Sequence, residues 1–207
     1  MNNPPICIIG AGGIGSFFCD YLARDIEQDQ LPGVTKDSVV VYDFDVVEEK
    51  NLRHQNYSMF DVSAPKAYVM TERYGFKAKA SRFGTRDLTK HREFIICADN
   101  PGVRKLVYEH CKTFSKPFVD MRTEGDMIAL FTHREDLKTL LSSLGKEKES
   151  IEGRSCQRAG DVAQNITQHG NYVVAAMGIQ CYLDIKRENP VFKSYIGQVN
   201  KQPNISF

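Results

Sequence analysis

Residues 6–15 read ICIIGAGGIG, a short apolar run followed at once by a glycine-rich loop. The four apolar residues predict a strand buried on both faces, as is usual in a parallel sheet. After the loop, apolar residues recur at helical spacing to about Asp25, which predicts a helix. Because a helix N-terminus offers free amide groups to an anion, the segment predicts a phosphate cradle. Its candidate nucleotide-binding residues are Gly10, Gly12, Gly13 and Gly15.

A polar segment at residues 43–66 reads DFDVVEEKNLRHQNYSMFDVSAPK. Asp43 follows a second apolar run, and an acid at that position is suited to the ribose hydroxyls of a nucleotide. Asn51 can donate to phosphate oxygens, while Arg53 and Lys66 can offset the phosphate charge. A hydride-transfer cofactor needs no such series of polar groups, whereas a reacting triphosphate must be held and neutralised. The segment therefore favours adenylation over redox chemistry.

Strand and helix patterns alternate through most of the chain. Strands are predicted at residues 6–9, 39–42, 77–82, 94–97, 118–121 and 127–132. Helices are predicted at 65–74, with Ser63 as a candidate cap, at 102–114 and at 171–185. This alternation predicts an α/β fold of the Rossmann-like, doubly wound type, with a mainly parallel sheet and helices on both faces.

The length of 207 residues suits a single domain, so residues 1–207 are predicted to form one. A polar stretch near residues 134–158 predicts a short helix followed by a mobile loop. The tail at 190–207 is poorly patterned and shows little periodicity.

Charge and composition exclude several partners. The 27 basic and 26 acidic residues nearly cancel, so no overall field attracts nucleic acid or an anionic membrane. The longest apolar run, residues 172–183, is too short to span a bilayer, which predicts a soluble, cytoplasmic protein with no membrane partner. The six cysteines show no CxxC spacing, so neither a disulfide nor structural zinc is predicted.

Asp99 follows the apolar run FIICA, which places it at the carboxyl end of a predicted central strand. Ligands bind at that edge of an open α/β sheet, and Mg2+ takes one or two carboxylates together with substrate phosphates. Asp99 is therefore a candidate metal ligand. The alternative is that Asp99 caps the next helix, with Asn100 and Pro101 opening it.

Four ordered motifs together resemble the ThiF/MoeB/ubiquitin-activating adenylyltransferase superfamily. They are GAGGIG, YDFDVVEEKNLRHQ, the PK of SAPK, and CADN followed by VRK. The resemblance implies a single ThiF-like ATP-binding adenylation domain that uses ATP and Mg2+ and forms a homodimer. It also implies the reaction, in which the C-terminal carboxylate of a ubiquitin-like protein or peptide attacks the α-phosphate to give an acyl adenylate and pyrophosphate.

The same resemblance assigns roles to individual residues. The glycine loop, Asp43 and Asp45 would hold the nucleotide, Asn51 and Lys66 its phosphates, and Asp99 the metal. The implied catalytic residues are Arg53, Lys66, Asp99 and Cys156.

Cys156 lies in the sequence RSCQRAG, which resembles the loop cysteine that accepts the activated acyl group in some relatives. The neighbouring Arg154 and Arg158 would favour its thiolate form. The alternative is an ordinary loop thiol. Four further cysteines occur in apolar patterns and are predicted to be buried: Cys7, Cys19, Cys97 and Cys181.

The chain departs from the family pattern in one informative place. The family usually reads NLxRQ, whereas this chain reads NLRHQ, so His54 stands where the arginine is expected and Arg53 precedes it. This departure keeps open a non-catalytic member that binds nucleotide or acts as an interaction partner. An NAD(P)-dependent oxidoreductase is the other alternative, although the chain lacks an obvious proton donor for hydride transfer.

Overall fold

The structure is a computed structural model that describes residues 6–144 and 169–199. Seven strands form one sheet: β1 (Ile6–Ile9), β2 (Val39–Tyr42), β3 (Lys77–Lys79), β4 (Glu93–Ile96), β5 (Phe118–Glu124), β6 (Met127–Thr132) and β7 (Ser194–Gln198). The α-helices of the described residues are α1 (Gly13–Glu27), α2 (Lys66–Tyr74), α3 (Pro101–Thr113), α4 (Leu137–Ser142) and α5 (Gly170–Lys186).

The sheet has the order β3-β2-β1-β4-β5-β6-β7, and its first five strands are parallel. β6 and β7 extend it as antiparallel strands. The chain moves outward from β1 through β2 to β3 and then returns to place β4 on the other side of β1. This reversal of strand order creates a crevice at the carboxyl ends of β1 and β4, the usual ligand position in such sheets. The predicted Rossmann-like fold is confirmed.

Two apolar layers bury the sheet on both faces. Alternate residues of β1 belong to different layers, with Ile8 facing one and Ile9 the other. The first layer includes buried residues of α1, α2 and α5, and the second includes those of α3 and α4. Burial on both faces explains why the central strands are uninterrupted apolar runs.

The limits of β3 and β5 differ from those predicted, since β5 continues past residue 121 to Glu124, and the poorly patterned tail contains a strand. β3 ends at Lys79, short of the predicted limit at residue 82. The tail contains β7, which pairs with β6 although the sequence shows no alternation there. β7 is an edge strand with little burial, and its neighbouring residues Tyr195 and Ile196 are both exposed. Because neither face of the strand is buried, its sequence does not need to alternate between apolar and polar residues.

Ser63 does not cap α2, contrary to the prediction. It adopts a positive φ of 73°, and Pro65 holds the N-cap position without a side-chain hydrogen bond. The first amide of α2 is satisfied by the fold instead, because Lys66 N–H donates to the carbonyl of Asp45 at 2.9 Å. This bond fixes the start of α2 beside the end of β2.

The cysteines of the described residues are free thiols, and all are buried: Cys7, Cys19, Cys97, Cys111 and Cys181. The burial predicted for four of them is confirmed. Cys156 lies outside the described residues, as does most of the polar stretch after α4. Among the helices described, none combines the length and apolar character needed to cross a membrane.

Candidate nucleotide site

The glycine loop packs directly against the end of β4. Gly10 has a φ of 95°, and a Cβ there would lie 2.9 Å from the backbone nitrogen of Ala98. A Cβ on Gly15 would lie 1.9 Å from the carbonyl oxygen of Gly10. These two positions therefore require glycine for the turn itself and for the close approach of α1 to the sheet.

Gly12 differs from Gly10 and Gly15 because a Cβ atom added there would point into open space. It is the N-cap of α1 and makes no side-chain capping bond, and a Cβ there would meet nothing within 4 Å in the described part of the chain. The first-turn amides of α1 and the positive end of its dipole therefore border an open volume. This arrangement fits a phosphate group.

Asp43 organises the glycine loop with both of its carboxylate oxygens. Oδ2 accepts from Ala11 N–H at 2.7 Å, and Oδ1 accepts from Asp45 N–H at 2.8 Å. Burial raises the pKa of Asp43, while these two hydrogen bonds and the charge of Lys66 act in the opposite direction. Since each carboxylate oxygen has a further lone pair, Asp43 can shape the loop and still accept from a ribose hydroxyl.

The loop is also held from its other side. Tyr57 OH donates to the carbonyl oxygen of Ala11 at 2.5 Å, so both polar groups of Ala11 have a protein partner. Beside this contact, Asn56 N–H donates to Ser16 Oγ at 2.9 Å. These bonds dock the segment after β2 onto the loop and α1. Tyr57 could not be recognised from the sequence, because a lone tyrosine in a polar segment can play many roles.

Lys66 brings a cation to the same edge of the sheet. It is only 6% exposed, and its Nζ lies 3.3 Å from Asp45 Oδ2. Its charge opposes the rise that burial causes in the pKa of Asp43. The pKa of His54 is lowered mainly by burial and further by the charge of Lys66. Asp43, Asp45, His54 and Lys66 therefore form one cluster beside the glycine loop, which we call the edge cluster.

Asn51 and Arg53 lie in the short 3-10 helix Glu49–Arg53 that follows β2. Asn51 is buried, and its Oδ1 accepts from Glu48 N–H at 2.9 Å. That bond orients the side chain and leaves its amide group as the donor end. Arg53 is exposed at the end of this helix.

Asn171 is a second residue that the sequence did not reveal as part of the site. It is fully buried in the first turn of α5, and its Nδ2 donates to the carbonyl oxygen of His54 at 3.0 Å. A Cβ on Gly13 would lie 2.5 Å from the same nitrogen. Asn171 therefore joins α5, the start of α1 and the segment that carries His54.

Asp99 lies in the loop between β4 and α3 and is exposed. The preceding residue, Ala98, is the one that packs against Gly10, so Asp99 lies close to the glycine loop. The alternative role of Asp99 as a helix cap is wrong, because Asn100 is the N-cap of α3 and its Oδ1 accepts from Val103 N–H at 3.0 Å. Pro101 opens the helix as expected.

A metal site made by protein groups alone is not present in the residues that the structure describes. Within residues 6–144 and 169–199, no three His, Cys, Asp or Glu side chains lie together in a way that could hold an ion. A single carboxylate such as Asp99 would need substrate oxygens to complete the coordination of Mg2+.

The family can be assigned from a direct match. The family model for ThiF matches residues 1–196. The chain belongs to the ThiF family. The resemblance predicted from the four ordered motifs is thereby confirmed.

One curated relative of this ThiF-family chain is the adenylyltransferase and sulfurtransferase UBA4 of Yarrowia lipolytica. The two are 26% identical over 141 residues, which cover 61% of this chain and 33% of the relative. The ThiF chain thus corresponds to about a third of the length of that protein.

Solved structures with the same fold include Escherichia coli MccB and TcdA. MccB with AMPCPP and MccA has a TM-score of 0.65 at 17% identity, and the match covers 99% of this chain and 66% of MccB. The tRNA N6-threonylcarbamoyladenosine dehydratase TcdA has a TM-score of 0.62 at 17% identity, with 89% of this chain and 86% of TcdA covered. At these identities the likeness concerns the fold of the ThiF domain.

Proposed function

We propose that this ThiF-family protein catalyses ATP-dependent adenylation of the C-terminal carboxylate of a ubiquitin-like protein or a peptide. The observation that carries the proposal is the edge cluster, in which buried Lys66 lies beside Asp43, the residue that holds the glycine loop. A cation, a carboxylate that could accept from a ribose, and the first-turn amides of α1 are thus found at one edge of the sheet. MccB, which shares the fold, has been solved with ATP and with MccA.

Each part of ATP has a candidate partner at this edge. The open side of Gly12 and the first-turn amides of α1 would receive phosphate, and Asp43 would accept from the ribose. Lys66 and the amide group of Asn51 would hold the remaining phosphates, with Arg53 supplying a further cation. Asp99 would hold Mg2+ together with phosphate oxygens, and the ion would neutralise the charge that develops on pyrophosphate.

Adenylation requires the protein to position the two substrates and to neutralise the phosphate charge. A substrate carboxylate oxygen attacks the α-phosphorus of ATP, the bond to the β-phosphate oxygen breaks, and pyrophosphate leaves. The product is a mixed anhydride with AMP, which is a far better acyl donor than the carboxylate. No protein nucleophile is needed for this step, so oriented cations and amides carry most of the effect.

Acyl transfer to Cys156 is a proposed second step. The Cys156 thiolate would attack the acyl carbon of the adenylate, and AMP would leave with the bonding electron pair. The support is the sequence RSCQRAG, in which Arg154 and Arg158 favour the thiolate. We further propose that the protein is cytoplasmic and forms a homodimer. Light scattering of the purified protein would test the homodimer.

The experiment that tests adenylation is isotope exchange between pyrophosphate and ATP in the presence of Mg2+. A small candidate protein that ends in glycine, encoded beside this gene, would serve as the acyl substrate. We expect exchange by the wild-type protein and a loss of at least about a hundredfold in Lys66→Ala. The matched control is Lys90→Ala, because Lys90 is exposed and also ion paired, at 2.8 Å from Asp87. Equal exchange by both variants would contradict the proposed role of Lys66.

A non-catalytic nucleotide-binding member is the second candidate function. The observation that favours it is His54 in the place of the family arginine, half-buried and with a lowered pKa that keeps it neutral near pH 7. ATP binding without exchange would support this candidate. A gain of exchange in His54→Arg would then identify the missing cation as the cause.

A further inference from the structure

His54 lies beside the start of α1, although the two are far apart in sequence. Its backbone carbonyl oxygen accepts from Asn171 Nδ2 at 3.0 Å, and that nitrogen would lie 2.5 Å from a Cβ on Gly13, the first residue of α1. The following residues stay on the same helix, since Asn56 N–H donates to Ser16 Oγ at 2.9 Å. The segment that carries His54 therefore runs along the helix end whose amides would receive phosphate.

Gln55 contacts the ring of His54 and has a buried oxygen without a partner. Its Nε2 lies 3.4 Å from His54 Nε2, whereas its Oε1 has no hydrogen-bond partner in the part of the chain that the structure describes. A half-turn of the amide exchanges the two atoms, so Oε1 could then accept from an N–H at His54 Nε2. Gln55 can therefore serve a neutral His54 ring through its nitrogen and a charged ring through its oxygen.

The surroundings of His54 oppose a proton on its ring in the free protein. Burial, and then the charge of Lys66 at the start of α2, lower the pKa of His54. Other titratable groups of the neighbouring segments are two acids after β2, an arginine on the 3-10 helix and the N-cap histidine of α5: Asp43, Asp45, Arg53 and His169. Both acids interact with Lys66. A bound triphosphate would add negative charge beside the ring, and an adjacent anion favours the protonated form of histidine.

We propose that His54 takes up a proton from solvent when ATP binds and then holds the triphosphate as an imidazolium. This inference rests on the proposed function and adds a residue to its phosphate site. His54 Nε2–H would donate to Gln55 Oε1, and Nδ1–H would donate to a phosphate oxygen. The histidine at the position of the family arginine would thus supply a positive charge only while nucleotide is bound.

Calorimetric titration of ATP in two buffers of different ionisation enthalpy measures the proton uptake. At pH 7.5 we expect the wild-type protein to take up about half a proton or more per ATP than His54→Gln does. The phosphates of ATP also exchange protons with the buffer, but their contribution is common to both proteins and cancels in the difference. Equal uptake by the two proteins would overturn the proposal.

A permanent cation at the same position provides the converse test. His54→Arg should bind ATP without the extra proton, so wild-type affinity relative to that of His54→Arg should fall as the pH rises from 7 to 8.5, by up to about tenfold per pH unit. A constant ratio of the two affinities would contradict the proposal. The matched control is His110→Gln, which should keep the wild-type uptake. His110 lies in the last turn of α3 against Phe94 near the start of β4, away from the carboxyl edge of the sheet.

Nuclear magnetic resonance of the histidine Cε1 atoms observes the charged ring directly. The His54 signal is the one absent from the spectrum of His54→Gln. Saturation with AMPCPP, which carries a triphosphate chain, should move the titration of this signal to higher pH. A His54 titration that AMPCPP leaves in place would show that the ring gains no proton from nucleotide binding.

The outcomes distinguish proton uptake from the underlying function. If the wild-type protein binds ATP with the same uptake as His54→Gln, His54 is not the cation and the nucleotide site stands. If the wild-type protein binds no ATP, the proposed function fails and the role of His54 fails with it.

Discussion

The backbone N–H of Ala11 donates to Asp43 Oδ2 at 2.7 Å, joining the loop after β1 to the residue that follows β2. The other oxygen of Asp43 accepts from Asp45 N–H, so a single carboxylate sets the geometry of two loops. Because both loops border the edge cluster, the geometry of the candidate nucleotide site depends on this one side chain.

Asp43→Asn should lower both stability and nucleotide affinity. An amide nitrogen cannot accept from a backbone N–H, so either the buried Ala11 N–H or the partly buried Asp45 N–H would lose its partner, at a cost of about 1–3 kcal/mol in the free energy of unfolding. Urea unfolding and ATP titration measure the two effects. The control is Asp29→Asn, at an exposed position on the surface after α1. Unchanged unfolding in Asp43→Asn would show that the loops hold their shape without the carboxylate.

Gly12→Ala and Gly13→Ala should fail in different ways. The methyl group on Gly12 enters open space, so this variant should fold normally but bind ATP at least about tenfold more weakly, because the methyl occupies the phosphate volume. The methyl on Gly13 meets the amide of Asn171 at 2.5 Å, so this variant should lose about 1–3 kcal/mol of stability. Thermal unfolding together with ATP titration separates the two.

A double substitution checks the cause assigned to Gly13→Ala. Adding Asn171→Ala removes the amide that the methyl would meet, so the two changes should be less than additive in the free energy of unfolding. Strict additivity would mean that Gly13→Ala acts through something other than this contact.

His54 should make the protein less stable in mild acid. Burial, and then the charge of Lys66, lower the pKa of His54 below its usual 6.5 in the folded state. The unfolded chain therefore binds a proton more readily, and stability that is fully present above pH 6.5 is lost as the pH falls through 6.5 towards the folded-state pKa. His54→Gln should lose less stability than wild type between pH 8 and pH 5.5, as measured by urea unfolding. An identical loss of stability in both proteins would contradict a contribution from His54. The loss would then come from other groups that remain in the variant, such as His110 and His133, whose pKa values are also lowered.

Cys156→Ala should separate adenylation from acyl transfer. We expect the variant to keep pyrophosphate exchange and to lose any covalent conjugate that a thiol reductant releases. Gel electrophoresis with and without reductant detects the conjugate. Cys156→Ser is a direct control, because a serine at this position would form an ester that a thiol reductant does not release. Cys19→Ala would be a poor control, because Cys19 is buried in the core. Persistence of the reducible conjugate in Cys156→Ala would remove this residue from the mechanism.

The sequence predicted the central sheet because its strands are buried on both faces. β1 and β2 are apolar runs closed by a glycine and by an acid, and their limits match the prediction at both ends. β7 was missed because its exposed residues carry no pattern, and its position depends on pairing with a strand more than sixty residues earlier in the chain. Edge strands are specified by their neighbours, which a single sequence does not identify.

Residues of the candidate site could be predicted where residue type and position along the chain together indicate a chemical role. Asp43 directly follows β2 and Lys66 begins α2, and in this fold the end of that strand and the start of that helix lie at the same edge of the sheet. The structure places the two residues near each other. Tyr57 and Asn171 act through single contacts with backbone carbonyls, at Ala11 and His54. Such contacts join segments far apart in sequence and leave no local spacing to recognise, which is why both residues were missed.

The double anchoring of Ala11, to Asp43 through its N–H and to Tyr57 through its carbonyl, has a kinetic consequence. Folding has already fixed the loop, so an incoming nucleotide has little backbone freedom left to remove. Association in a stopped-flow experiment should follow one exponential whose rate rises linearly with nucleotide concentration, without the plateau that a slow rearrangement of the protein would impose.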